Sequence, residues 1–152
     1  MPALIGPSGG PYNLNRGALE EAIAADAIVA SAVEAGMTAP ITAEQVFRGA
    51  ADGDAAARSA VQTEAERLAY LVSSIAAMLD PEVIVFGGGV GQNLEALRPQ
   101  LTDKLAELTP LQPTMIIGSL GAEAVSQGAV VDGLETARTA VLRQAVRGSR
   151  TS

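Results

Sequence analysis

Leu79-Asp80-Pro81-Glu82-Val83-Ile84-Val85-Phe86-Gly87-Gly88-Gly89-Val90-Gly91 is the stretch that decides the fold. Pro81 disfavours helical geometry at Asp80, so a helix arriving from upstream has to stop there. Val83 to Phe86 is a continuous apolar run, the pattern of a strand covered on both faces in a parallel sheet. Gly87, Gly88, Gly89 and Gly91, with Val90 among them, then predict a loop. Its backbone could take left-handed conformations and approach a ligand closely, its amides facing a phosphate or a nucleoside. A tight strand-to-helix turn without a ligand is the competing reading. A dinucleotide fingerprint would need a third glycine where Gln92 or Leu94 stands, and no Lys-Ser or Lys-Thr follows to make a Walker loop.

Upstream, Val61, Ala65, Leu68, Val72, Ile75 and Leu79 recur at alternating spacings of four and three, with Leu71 and Met78 widening the stripe. This predicts a helix from about Asp54 to Leu79, nearly 40 Å long at about 1.5 Å per residue. Thr42-Ala43-Glu44-Gln45 spells a capping box for a shorter helix through Val46 and Phe47, after which Asp52-Gly53-Asp54 turns the chain. Leu19, Ile23, Val29 and Val33 share related faces of an earlier helix, with Gly36 as the left-handed residue beyond its end.

Downstream, Pro99 suits the first position of a helix carrying Leu101, Leu105 and Leu108. Met115 to Ile117 reads as a second buried strand. A last helix bears Val130, Leu134, Ala137 and Val141, and its internal Gly128 and Gly133 point to close packing against another backbone.

Composition narrows the chemistry. At 152 residues, 48% apolar and 18% charged, the sequence fits one globular domain or part of one. No apolar run approaches the roughly 18 residues of a membrane span. Cys and His are absent, which excludes thiol nucleophiles, imidazole bases and thiolate or imidazole zinc sites. Bound zinc is therefore predicted to be absent. A net charge of -7 argues against nucleic-acid binding by this segment. The C-terminal Arg138, Arg143, Arg147 and Arg150 read either as a helix end that favours cations or as a binding patch. The opening residues carry no signal-peptide pattern, so a cytoplasmic location is expected.

Met78 to Val90 resembles the ROK family, the sugar kinases and sugar-responsive repressors built on the actin and hexokinase type of ATPase fold. The sequel is similar too: Leu97-Arg98-Pro99, then a strand leading to Ser119-Leu120-Gly121-Ala122-Glu123-Ala124 and Gly128-Ala129. The resemblance spans roughly residues 16–140 and corresponds to the C-terminal half of a family member. It implies an α/β fold, mostly helical, with about two parallel strands and a long central helix. It also implies three segments: a loop remnant of the zinc and sugar region at 1–18, the lobe at 19–142, and a flexible tail at 143–152.

In that family a Cys-x-Cys-Gly-x-x-Gly-Cys-x-Glu stretch holds zinc and contacts the sugar. Arg16-Gly17-Ala18-Leu19-Glu20 is similar to its end and puts Glu20 at the sugar-contacting position, although an acid in the first turn of a helix explains Glu20 equally well. Pro11, Asn13 and Ala18 stand where the family has Cys. The family's phosphate loop and catalytic Asp would lie upstream of Met1, as would a repressor's winged helix-turn-helix. The resemblance thus implies a lobe that does no chemistry alone. Gly87, Gly88, Gly89, Val90 and Gly91 would serve ATP in a full-length parent, either a hexose kinase or a repressor. A ligand-free interaction lobe is the third reading. Two strands with unpaired edges, and an apolar stripe wider than they can cover, predict a homo-oligomer through the long helix or the open sheet edge.

Overall fold

A computed structural model describes residue 23 and residues 25–119 and 123–148. The elements run α1 (Ala25–Glu34), α2 (Ala43–Asp52), α3 (Ala55–Leu79), β1 (Val83–Phe86), α4 (Gly88–Gln92), α5 (Leu94–Leu108), β2 (Thr114–Ile117) and α6 (Ala124–Gly148). The chain is a mostly helical α/β unit organised around α3.

Local chemistry ends α1 and bounds α2 and α3 where the sequence indicates. Gly36 takes φ 113°, and the Met37 N–H donates back to the Ala32 carbonyl at 2.9 Å, closing the end of α1. At α2 the capping box is complete: Thr42 Oγ1 accepts from the Gln45 N–H at 3.2 Å, and Gln45 Oε1 accepts from the Thr42 N–H at 2.8 Å. Gly53 ends α2 at φ 98°, and Asp54 Oδ1 accepts the Ala57 N–H at 2.8 Å to open α3. Asp80 closes α3 in the left-handed region at φ 43°.

Ala57, Ala60, Val61, Ala65, Leu68, Ala69, Val72 and Ala76 bury one side of α3. The small alanines let α1, α2 and α5 approach its axis closely. The α3 stripe is therefore covered by helices of its own chain, which corrects the expectation that it needs a second molecule. Only its last turn stays open, with Met78 and Leu79 exposed.

Pro99 does not open α5 but lies inside it. Leu94, Leu97, Leu101 and Leu105 are all fully buried, and burying the first two extends the helix five residues upstream of the proline. As the sixth residue, Pro99 forfeits only one early hydrogen bond.

β1 and β2 pair in parallel from Val83↔Thr114 to Phe86↔Ile117. The Gly118 N–H extends the ladder by donating to the Phe86 carbonyl at 2.8 Å. Ile84, Phe86 and Met115 join the helical core, while Val83, Val85 and Ile116 remain exposed on the opposite face. Ile117, on the same face as Met115, is also 43% exposed, so β1 is covered on one face and β2 on only part of one, not on two. Helix α6 holds a further surprise. Residues 126–140 are exposed throughout, and nothing lies within 4 Å of a Cβ placed at Gly128 or Gly133, so the expected close packing there is not made among the described residues. The helix also continues past residue 143, where a tail was expected, to Gly148. No helix among the described residues is long and apolar enough to cross a membrane.

Candidate functional site

The sequence predicts a glycine loop after β1; the backbone instead makes a short helical turn. Gly88, Gly89, Val90 and Gly91 all lie in α4, and only Gly87 remains between strand and helix. Gly88 enters the turn at φ 61°, in the region a Cβ disfavours. The Gly91 N–H then donates to the Gly87 carbonyl at 3.1 Å. Gly91 is buried against β1, and a Cβ there would sit 2.5 Å from the Phe86 carbonyl oxygen. At Gly87, by contrast, a Cβ would meet nothing within 4 Å, so this peptide is open to approach.

Immediately beyond the turn, α5 supplies Ala96 and Gln100 to the wall of a cleft of about 650 Å³. Phe47 and Ala50 of α2 and Arg58 and Gln62 of α3 line the same cleft. Gln100 stands in this wall, and its Oε1 is buried without a hydrogen-bond donor among the described residues. Arg58 is held in place by donating from Nε to the Ala50 carbonyl at 3.2 Å. An apolar ring, an amide and a cation on three helices suit a flat, polar-edged ligand. Sequence reading missed these groups because they are far apart along the chain and follow no motif.

A second polar cluster lies within the core. Glu64 and Arg67 sit on α3 with their side chains 5% and 12% exposed and their charged atoms 3.8 Å apart. Arg67 Nη1 donates to Ser31 Oγ of α1 at 3.3 Å. Burial pushes the Glu64 carboxyl up to about 7, and the Arg67 charge offsets this only in part. The sequence did carry a signal here, since Glu64 falls among the buried positions Val61, Ala65 and Leu68.

Glu20, Pro11, Asn13 and Ala18 lie outside the described residues. Among the described residues no cluster of acids has the arrangement of a metal site.

A parallel strand ending in a glycine turn, braced by a long helix, belongs to the hexokinase-type ATPase fold. The sequence profile of the ROK family matches residues 14–131, and the chain belongs to that family. The bifunctional enzyme NanE/NanK of Brucella melitensis is 38% identical over 100 residues, which are 64% of this chain and 18% of that protein. A ROK family glucokinase from Streptomyces griseus, solved with glucose and AMPPNP, superposes with a TM-score of 0.57 at 20% identity. The match takes in 69% of this chain and 40% of the glucokinase. A ROK family transcriptional regulator, a homologue of the E. coli MLC protein, gives 0.58 at 22% identity, over 76% of this chain and 33% of the regulator. The chain thus spans well under half of each of these relatives.

Proposed function

We propose that this chain acts as the C-terminal lobe of a ROK-type sugar kinase or sugar-sensing regulator, supplying the adenosine-side wall of a nucleotide site and turning over no substrate alone. The observation that carries this reading is the open turn at the end of β1, where a Cβ at Gly87 or Gly88 would meet nothing within 4 Å. The Gln100 side-chain amide, in the wall of the cleft, is a group of the kind that pairs with an adenine edge. The Phe47 ring offers an apolar surface to a base, and the Gly87 peptide can be reached by a ribose or phosphate. The nucleotide held by the Streptomyces glucokinase supports the same assignment. Glu20 is the corresponding candidate for the sugar.

The regulator reading draws on a separate observation. Pro11, Asn13 and Ala18 replace the family's zinc-binding Cys, and a site without catalytic duty tolerates that loss. Both readings share this lobe and place it in the cytoplasm.

Calorimetric titration with AMPPNP and with ADP tests the nucleotide assignment. Weak saturable binding is expected, reduced by Gln100→Leu and unaffected by Thr102→Ala on the exposed side of α5. Absence of binding at millimolar nucleotide would overturn it. A coupled assay with ATP and glucose, mannose or N-acetylated hexosamines should show no turnover, because positioning groups and a base supply nearly all the catalysis of phosphoryl transfer.

A further inference from the structure

The turn after β1 has more backbone freedom to lose than any other part of the described chain. Four of the five residues from Gly87 to Gly91 are glycine, and holding glycine in one conformation forfeits the most entropy. A ligand that must order the turn on arrival binds more weakly for it, so whatever fixes the two ends beforehand acts on affinity. The β1 end is fixed by the strand and by the contact of Gly91 with the Phe86 backbone. The far end passes through a single residue, Asn93, into α5, and the Asn93 side chain makes no capping bond to that helix.

A three-way contact holds the far end instead. Arg98 Nε and Nη2 donate to the two carboxylate oxygens of Glu95 at 3.1 and 2.7 Å, and Arg98 Nη1 donates to the Met115 carbonyl at 3.1 Å. The Thr114 and Gly118 N–H groups donate across the ladder to the Glu82 and Phe86 carbonyls. Alternate residues of β2 therefore face β1, and the Met115 carbonyl between them points off the outer edge of the strand. Arg98 thus ties the start of α5 to a strand 17 residues further along the chain.

We propose that Arg98, oriented by Glu95, is a positioning residue for the nucleotide turn: by fastening the start of α5 to β2 it presets the Gly87–Gly91 backbone for its ligand. The inference rests on the nucleotide reading for what the turn binds, and on the three hydrogen bonds for how the turn is held.

Geometry separates this pair from an ordinary surface ion pair, which contributes little because ordering two long side chains offsets the attraction. Arg48 and Glu44 are of the ordinary kind, with one bond of 2.7 Å inside α2 and side chains 66% and 80% exposed. The Arg98 side chain is only 35% exposed. Its planar fork engages both Glu95 oxygens, which aims the remaining nitrogen at a backbone carbonyl of another element. A lysine ammonium is a point charge without that fork and cannot make the three bonds together.

Amide hydrogen exchange followed by NMR, and calorimetric titration with AMPPNP, test the proposal on the parent and on Arg98→Met, Arg98→Lys and Thr42→Ala. The last removes the α2 cap and serves as a variant of lowered stability unconnected to the clamp. Arg98→Met should speed exchange of the Gly91 amide and weaken AMPPNP binding, each about fivefold, the size of one lost hydrogen bond. Arg98→Lys should recover little of either, and Thr42→Ala should change neither. Unchanged Gly91 exchange in Arg98→Met overturns the proposal. Equal acceleration in Thr42→Ala overturns it too, since the effect would then follow general stability. Faster Gly91 exchange with AMPPNP affinity unaltered likewise overturns it, because the turn would need no presetting. A parent that binds no AMPPNP overturns the nucleotide reading instead, and the exchange comparison still decides whether Arg98 holds the turn.

Discussion

Gly91 and Phe86 are locked together: a Cβ on Gly91 would fall 2.5 Å from the Phe86 carbonyl oxygen and 2.9 Å from its carbonyl carbon. The glycine that closes the candidate nucleotide turn is thus also the point where that turn presses on the end of β1. Both contacts are with backbone, which cannot rotate away as a side chain can.

Gly91→Ala should therefore destabilise the chain by about 1–3 kcal/mol, the usual range for forcing extra volume into a packed site. Gly87→Ala, where nothing lies within 4 Å, should stay within about 0.5 kcal/mol of the parent. Urea denaturation of the two variants side by side checks the pair. Equal midpoints would mean that the turn moves aside freely.

Glu64 makes stability depend on pH. Its folded pKa of about 7 lies above the ordinary 4.5, so the folded chain holds the proton more tightly than the unfolded one. The resulting stability is fully present below pH 4.5, declines as pH rises, and is lost above about pH 7. The displacement is of order 3 kcal/mol at about 1.4 kcal/mol per pKa unit. Glu64→Gln, which cannot ionise, should flatten the profile between these limits. Denaturation midpoints measured across that interval, in parent and variant, decide the matter, and an unchanged slope in the variant would count against this assignment.

Asp54 caps the helix around which the core is built. Losing its bond to the Ala57 N–H should cost about 1 kcal/mol in Asp54→Ala. Asp54→Asn or Asp54→Ser, which keep an acceptor oxygen, should recover most of that. Thermal melts of the three variants make the comparison, and an alanine variant as stable as the serine one would mean the cap is idle.

Zinc removal should have no effect. The sequence offers no Cys or His, and carboxylates alone hold zinc weakly. Elemental analysis after dialysis is expected to find no stoichiometric zinc, and chelator should leave the melting temperature unchanged. One tightly held zinc per chain would contradict this.

The elements of the fold were legible where one residue imposes one local geometry. Gly36 and Gly53 mark left-handed helix ends, Thr42 and Gln45 a capping box, Pro81 the end of α3, and Val83 to Phe86 a strand. Glycine content identified the turn after β1 as the candidate site. Whether those glycines form a loop or a helical turn was settled by the contact of Gly91 with β1, since glycine itself permits either. Pro99 misled for a related reason: its local preference favours a helix start, but burying Leu94 and Leu97 outweighs one lost hydrogen bond.

The sequence by itself determined the order of the main helices and strands, the helix ends at Gly36, Gly53 and Asp80, and the family resemblance, because each depends on residues close together in the chain. Tertiary structure alone decided that the α3 stripe is covered by α1, α2 and α5, and that Phe47, Arg58 and Gln100 line one cleft. It also decided which apolar faces remain open on the sheet and on α6. Residue type sets how strongly a side chain avoids water, whereas the packing of distant segments sets which side chains succeed.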